Sequence, residues 1–202
     1  TKLYFKLFLN YSLKRADSII AISNATSESI QKYFPQYKNK IKVIYNGFND
    51  YRKYSDMSNK NIHNKRYFLQ VGCMHSRKNL QISVENFSRL QKIEDINLIC
   101  IGTSDSQKNE FKDIPGIIFL DNVSDIDLYF FYKNAVATLY PSQYEGFGFP
   151  ILESMSAGCP VICSNIPSSK EISGYMDEHM FDLQCSNELL HLMKKLMNDS
   201  IY

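Results

Sequence analysis

Short apolar runs alternate with longer amphipathic segments along residues 67–202. The runs are rich in β-branched residues, which is typical of parallel strands buried on both faces. Because alternating strands and helices form βαβ units, the pattern predicts an α/β fold with a doubly wound parallel sheet. We expect strands at 67–72, 97–102, 117–120, 136–140, 160–163 and 179–183, and helices at 79–93, 105–112, 125–134, 149–157, 167–173 and 186–198.

Residues 1–66 follow a different pattern, with fewer elements and a long stretch that lacks periodicity. Helix stop and start signals come from Ser, Asn and Pro residues at the expected places. We expect a helix over 1–15, a buried strand over 18–23, a helix that Ser23 or Asn24 caps and Pro35 stops, a strand over 41–45, and a linker or exposed loop over 48–65.

Chemistry is expected where the strands of the larger sheet end. In doubly wound sheets, ligands bind beyond the carboxyl ends of the strands. The segments that follow three of the predicted strands carry the informative residues, and we expect all three to open at one edge: 72–79, 121–124 and 141–153.

The most informative segment is Glu-Gly-Phe-Gly-Phe-Pro-Ile-Leu-Glu, from Glu145 to Glu153. Gly146 and Gly148 allow a tight turn, and Pro150 suits the first turn of a helix. The N–H groups of residues 147–151 are then expected to face outward, where they suit an anion such as phosphate. The two carboxylates would repel phosphate but accept hydrogen bonds from sugar hydroxyls. The segment therefore predicts a site for a sugar nucleotide.

Two adjacent cations, Arg77 and Lys78, lie in the segment after the first strand of the larger sheet. An arginine fork and a lysine point charge at this position are suited to clamping a diphosphate. His75 shares the loop, and we interpret it as an exposed surface residue rather than a ligand contact.

Charge is distributed unevenly along the 202 residues, although the net charge is only +2. Residues 1–66 hold 13 Lys and Arg against 4 Asp and Glu, whereas residues 67–202 hold 10 against 17. The basic part is either solvated surface with a lysine-rich linker, or a face for anionic lipid or an anionic acceptor. The acidic larger part argues against nucleic-acid binding. No Gly-x-Gly-x-x-Gly follows an early strand, which argues against a dinucleotide-dependent dehydrogenase.

The apolar fraction of 44 % is enough for a core, and no run of 18 apolar residues occurs. The five cysteines form no Cys-x-x-Cys pair, so neither a disulfide framework nor a zinc site is indicated. We interpret Cys159 and Cys163 as small buried apolar residues, which fits a reducing cytoplasm.

The motif Ser142-x-Tyr144-Glu145-Gly146-Phe147-Gly148-Phe149-Pro150-x-x-Glu153, with Ala157-Gly158-Cys159-Pro160-Val161-Ile162 after it, resembles the signature of retaining GT-B glycosyltransferases of family 4. Three further segments agree with this resemblance: Val71-Gly72 with Arg77-Lys78-Asn79 resembles the first loop of that family's donor domain, Asn46-Gly47-Phe48 its interdomain linker, and 16–23 the end of its N-terminal domain.

The resemblance implies a division of the chain. Residues 1–45 would be a remnant of the N-terminal acceptor domain, 46–66 the interdomain linker, and 67–202 a Rossmann-like nucleotide-sugar-binding domain, the C-terminal half of a GT-B fold. Since the chain begins with Thr1 and stops at Tyr202, we expect a piece of a longer protein, truncated at both ends. Without acceptor positioning, several kcal/mol of barrier lowering are lost, so we expect no useful transfer by this chain alone.

The resemblance also implies the roles of individual residues. Glu153 would bind the ribose hydroxyls and Glu145 the hydroxyls of the transferred sugar, while Arg77 and Lys78 would neutralise the leaving diphosphate. The other expected donor contacts are Gly72, Asn122, Val123, Ser142, Gly146, Phe147, Gly148, Phe149, Pro150 and Ile151. The backbone at Asn122 and Val123 would touch the base.

The partners that follow are a UDP- or GDP-sugar donor and a glycan or lipid-linked glycan acceptor, with no metal and no other cofactor. The implied reaction is hexose transfer with retention for polysaccharide or lipopolysaccharide synthesis, in the cytoplasm or peripherally at the inner face of the membrane. Neither the sugar nor the base can be read from the sequence.

One residue departs from the family pattern. Cys73 stands where many members of the family carry arginine, and Arg77 is expected to substitute for that cation.

Three other interpretations stay open. The chain is alternatively a sugar-nucleotide epimerase of similar architecture, or a degenerate donor domain that binds a partner protein. A role for Glu145 as a covalent nucleophile, as in retaining glycosidases, is disfavoured because both glutamates have a binding explanation.

Overall fold

The computed structural model describes residues 2–58, 60, 62–174 and 177–198, with the side chains of residues 2–6 left aside. The helices are α1 (Lys2–Arg15), α2 (Asn24–Tyr33), α3 (Leu80–Leu90), α4 (Asp105–Phe111), α5 (Asp125–Lys133), α6 (Phe149–Ser156), α7 (Pro167–Ser173) and α8 (Ser186–Asn198). The strands are β1 (Ile19–Ala21), β2 (Ile41–Val43), β3 (Tyr67–Val71), β4 (Asn97–Ile101), β5 (Ile117–Leu120), β6 (Ala137–Tyr140), β7 (Val161–Ser164) and β8 (Met180–Phe181).

Six of the strands form one parallel sheet in the order β5-β4-β3-β6-β7-β8. Successive side chains on a strand point to opposite faces, so Phe68 and Leu69 enter different cores. The Phe68 core includes α3 and α8 through Phe87 and Met193, whereas the Leu69 core includes α5 through Tyr132. Helices therefore cover both faces, and the predicted doubly wound α/β fold is confirmed.

Residues 2–43 form a smaller unit on a separate two-stranded parallel sheet, β1-β2. Leu13, Ile19 and Phe34 make its core. The side chain of Ser23 caps α2 by accepting a hydrogen bond from the N–H of Thr26, and Pro35 begins a 3-10 turn where the helix ends. The predicted cap and stop are both confirmed.

The segment predicted as a linker or exposed loop is packed in part, so that prediction is wrong at Tyr51. This side chain is 1 % exposed and lies in the same core as Leu69. Its ring centroid is 6.1 Å from that of Tyr129 and 5.7 Å from that of Tyr132. Tyr54 and Ile62 of the same segment also pack against this core. Apolar side chains that reach a core from a segment without periodicity leave no pattern in the sequence by which to predict them.

The cysteines are all free, and Cys73, Cys100, Cys159 and Cys163 are buried while Cys185 is exposed. Desolvation by burial raises the pKa of the Cys163 thiol to about 12. The interpretation of Cys159 and Cys163 as small buried apolar residues is confirmed. In the described ranges no helix combines the length and the apolar character needed to cross a membrane.

Candidate functional site

The site lies at the carboxyl edge of the larger sheet, between β3 and β6, where the strand order reverses. Ligands bind at such a switch point in open α/β sheets. The loop after β3 and the loop after β6 meet there, because the N–H of Gln143 donates to the carbonyl of Arg77 at 2.8 Å. The predicted loops 72–79 and 141–153 therefore share one site.

Glu145 joins the two loops through its side chain. Its Oε1 lies 2.8 Å from Nη1 of Arg77 and 2.7 Å from Nζ of Lys78. The same oxygen accepts a hydrogen bond from the hydroxyl of Ser142 at 3.1 Å. The side chains of Glu145 and Lys78 are only 10 % and 11 % exposed. We call Arg77, Lys78, Ser142 and Glu145 the edge cluster.

Lys78 is held from several directions. Its ammonium lies 4.7 Å from the centroid of the Tyr140 ring, a cation–π distance. The side-chain amide of Gln70 donates to the carbonyl of Lys78 at 3.0 Å. Desolvation, followed by the charge of Glu145, raises the pKa of Tyr140, so its hydroxyl stays protonated near neutral pH. The ammonium is therefore held in place by contacts within the protein.

The loop after β3 also depends on backbone conformation. Gly72 has φ +75, and an added Cβ would lie 3.8 Å from Cε of Lys78. Asn79 ends the loop with a left-handed φ of 54. The Cys73 side chain is fully buried and its Sγ donates to the carbonyl of Gln70, so it faces the core and not the cleft.

The conformation of the turn between Glu145 and α6 agrees in part with the sequence prediction. Gly148 has φ +137, and Pro150 stands in the first turn of α6. Phe147 is buried, whereas Phe149 is 40 % exposed. The N–H of Ile151 donates to the carbonyl of Gly148 at 3.0 Å, and Pro150 has no N–H. The prediction that residues 147–151 present outward N–H groups is therefore wrong for both residues.

Glu153 lies on α6, partly buried. Its Oε2 accepts a hydrogen bond from the hydroxyl of Tyr132 at 2.9 Å. Desolvation raises the pKa of Glu153, and the charge of Asp125 acts in the same direction, outweighing the opposite effects of Tyr132 and Lys78. Tyr132 was not predicted from sequence, since it occupies a helix position indistinguishable from ordinary core.

Asn122 and Val123 occupy the same edge of the sheet, after β5. Asn122 is exposed, with a left-handed φ of 50, and Val123 packs against the aromatic core below it. The described hydrogen bonds do not connect either residue to the edge cluster, so their predicted contact with a base stays a prediction. His75 is exposed, as expected.

The small N-terminal unit contacts this turn directly, which the sequence did not predict. The hydroxyls of Ser23 and Thr26 both donate to the carbonyl of Gly146, at 2.6 and 2.9 Å. A cleft of about 670 Å³ lies beside this contact, between α2 and the turn. Its walls include Tyr33, Tyr144, Glu145 and Gly146, so the cleft reaches the edge cluster at Glu145.

No group of three or more His, Cys, Asp or Glu suited to a metal ion occurs within the described ranges. The residues gathered at the edge are instead two cations, two carboxylates, hydroxyls and a helix start. Such a set binds a diphosphate and sugar hydroxyls by complementary charge and hydrogen bonding.

Replacing Gly148 by alanine should lower the free energy of unfolding by about 1–2 kcal/mol, because a side chain is strained at φ +137. The new Cβ would also lie 3.3 Å from Cδ1 of Ile151. Urea denaturation measures the change. Gly47→Ala is the matched control, since Gly47 has no atom within 4 Å of an added Cβ. Equal stability of the two variants would contradict the assigned strain.

The family described as "Glycosyl transferases group 1" matches residues 52–199, and "Glycosyltransferase Family 4" matches residues 1–52. The "O-antigen chain mannosyltransferase RfbU" of Salmonella typhimurium is 34 % identical over 179 residues, covering 85 % of this chain and 48 % of the relative. The "O-antigen chain mannosyltransferase B" of Escherichia coli is 38 % identical over 117 residues, covering 54 % and 31 %. The chain thus spans at most about half of these relatives.

Solved structures agree on the fold. HepE from Anabaena, in complex with UDP and glucose, aligns with a TM-score of 0.75 at 18 % identity, over 99 % of this chain and 59 % of that one. WaaG, "a glycosyltransferase involved in lipopolysaccharide biosynthesis", aligns with a TM-score of 0.69 at 18 % identity, over 90 % and 54 %. The fold is therefore the Rossmann-like parallel α/β sheet of GT-B glycosyltransferases. Together with the family match over residues 52–199, this shows that the chain belongs to the glycosyl transferases group 1 family.

Proposed function

We propose that this chain is the donor-binding part of a glycosyltransferase that moves a hexose from a nucleoside diphosphate sugar to a glycan or lipid-linked glycan, with retention at the anomeric carbon. The relatives named as mannosyltransferases favour mannose as the hexose and GDP as the nucleotide. UDP is the second candidate, because HepE was solved with UDP and glucose.

The observation that carries the proposal is the edge cluster at the switch point of the sheet. Departure of a nucleoside diphosphate builds negative charge on the phosphates, and fixed cations stabilise that charge without reorganising. Arg77 and Lys78 are such cations, held at 2.8 and 2.7 Å from Glu145. No metal is assigned to this step, since two side-chain cations supply the charge.

The two carboxylates are assigned to the two hydroxyl-bearing parts of the donor, the transferred sugar and the ribose. Glu145 lies beside the cations, so it is placed for the hydroxyls of the sugar that follows the diphosphate. Glu153 already accepts one hydroxyl, that of Tyr132, and its carboxylate is placed for the ribose. An ionised carboxylate accepts hydrogen bonds only, which matches a ligand rich in hydroxyl donors.

The acceptor and the location in the cell follow from the relatives' names. RfbU is named for the O-antigen chain, a surface glycan, and we assign this chain to the same class of acceptor. The proposed location is the cytoplasm or the inner face of the membrane, where the basic residues of the N-terminal unit would favour anionic lipid.

Calorimetric titration of the chain with GDP, UDP, GDP-mannose and UDP-glucose tests the proposal. We expect saturable binding of one nucleotide and its sugar conjugate. Binding to none of the four, by a chain that remains folded by circular dichroism, would overturn the donor site and support a degenerate module. Conversion of the sugar in the absence of an acceptor, followed by chromatography, would support the epimerase instead.

A further inference from the structure

The first turn of α2 is bonded to two elements of the larger domain at once. On one side it contacts the turn that carries Glu145, and on the other it contacts α7. Both contacts consist of short hydrogen bonds between groups more than 100 positions apart in sequence. The contact with the turn adjoins the edge cluster.

The carbonyl of Gly146 accepts two hydrogen bonds, from Ser23 at 2.6 Å and from Thr26 at 2.9 Å. A carbonyl oxygen has two lone pairs, so both are used. In a trans peptide the next N–H points away from the carbonyl. The N–H of Phe147 is therefore directed away from α2. The two hydroxyls thus fix the orientation of the Gly146–Phe147 peptide, one residue after Glu145.

Packing leaves this turn little freedom on the same side. An added Cβ at Gly146 would lie 3.3 Å from Cδ1 of Ile22 and 3.6 Å from Oγ1 of Thr26. Ser23 is fully buried. Its hydroxyl also contacts that of Thr26 at 2.9 Å. The two hydroxyls and the glycine form one compact contact.

Glu171 of α7 holds α2 in place from the other side. Its Oε1 accepts hydrogen bonds from the backbone N–H of Asn24 at 2.7 Å, from the Asn24 amide at 2.8 Å and from the hydroxyl of Tyr45 at 2.6 Å. Its Oε2 accepts one from the N–H of Ala25 at 2.9 Å. A carboxylate at a helix N-terminus also complements the helix dipole.

We infer that Ser23 and Thr26 are positioning residues for the donor turn, and that Glu171 fixes the helix on which they stand. This inference rests on the proposed function, since it assigns the two hydroxyls to the part of the site that meets the transferred hexose. Glu153, assigned to the ribose, is held by Tyr132 of α5. Lys78 has contacts with Gln70 of β3 and Tyr140 of β6 besides its ion pair with Glu145. Loss of the Ser23 and Thr26 hydroxyls should therefore weaken the binding of the sugar more than the binding of the nucleotide.

The double variant Ser23→Ala, Thr26→Val tests this by titration with each nucleotide and its sugar conjugate, GDP with GDP-mannose and UDP with UDP-glucose. We expect the affinity for the sugar conjugate to fall at least tenfold, while that for the free nucleotide stays within threefold. Thr26→Ser, which keeps a hydroxyl, should restore the wild-type ratio when combined with wild-type Ser23. Ser12→Ala is the matched control, because the Ser12 hydroxyl bonds within α1.

An equal loss of affinity for the sugar conjugate and for the free nucleotide, or no change in either affinity, would overturn the positioning role. If the wild-type chain binds no nucleotide, the proposed function fails, and amide hydrogen exchange still decides the inference. In that case we expect exchange at residues 145–148 to accelerate at least tenfold in the double variant and not in Ser12→Ala. Unchanged exchange there would refute the contact as a positioning device.

Discussion

Lys78→Met should weaken binding of the preferred nucleoside diphosphate by about 30- to 100-fold, since a charge-assisted contact to phosphate is worth about 2–3 kcal/mol. The ammonium is held over the Tyr140 ring and lies 2.7 Å from Glu145. A mobile lysine elsewhere on the surface lacks these contacts, so it cannot supply the missing charge at the same point. Calorimetric titration of the variant measures the change. Methionine keeps most of the side-chain volume, so packing is largely preserved.

The same substitution should lower the free energy of unfolding by about 2 kcal/mol, because it leaves a buried carboxylate with one cation fewer. Arg77 still pairs with Glu145, which keeps the cost below that of an unpaired charge. Lys92→Met, at an exposed position, is the control and should change neither quantity. If a folded Lys78→Met chain bound the nucleotide with wild-type affinity, Lys78 would not be part of the nucleotide site.

Glu153→Gln should weaken nucleotide binding by about 10- to 100-fold while making the unliganded chain more stable at neutral pH. The binding loss follows because an amide is a weaker acceptor for ribose hydroxyls than a carboxylate, at about 1.5–3 kcal/mol for a charged contact. The stability gain follows because desolvation, aided by Asp125, raises the pKa of Glu153, so its ionised form is disfavoured in the folded chain.

The predicted gain in stability of Glu153→Gln should depend on pH. A raised folded-state pKa means that the folded chain holds the proton more tightly than the unfolded chain. The stability that Glu153 contributes is therefore full below its unfolded pKa and is lost as the pH rises through its folded pKa. Urea denaturation between pH 4 and 8 should show this loss in the wild type and in Glu110→Gln, an exposed control, but not in Glu153→Gln. A parallel loss in all three chains would contradict the assignment.

The larger sheet was predictable because its elements are locally periodic. The strand at 117–120 and the helices at 167–173 and 186–198 match the structure, since apolar runs and Pro or Ser boundaries mark them. The strand expected at 179–183 is only Met180–Phe181, because a 3-10 turn occupies 177–179 and two residues pair with β7. Tyr51 was missed because a packed ring in an irregular segment leaves no period.

The site was predictable as a set of residues but not as a set of contacts. Arg77, Lys78 and Glu145 were placed at one edge because parallel strands end together. That Glu145 would bridge both cations was not predicted, since the sequence assigns the two cations to the diphosphate and Glu145 to the transferred sugar. The hydroxyls of Ser23 and Thr26 lie 123 and 120 positions from Gly146, beyond any local pattern.

The bridging of both cations by Glu145 has a consequence for selectivity among anions. Because Glu145 balances part of the positive charge of Arg77 and Lys78, a small anion must displace the carboxylate to bind. Inorganic phosphate offers no hydroxyl-bearing sugar to occupy the released Glu145 or Glu153. A sugar nucleotide offers both, and we expect it to bind in the presence of millimolar orthophosphate with little competition, which titration in phosphate buffer measures. The ion pairs of Glu145 with Arg77 and Lys78 would thus lower the affinity of the donor site for the abundant simple anions of the cell.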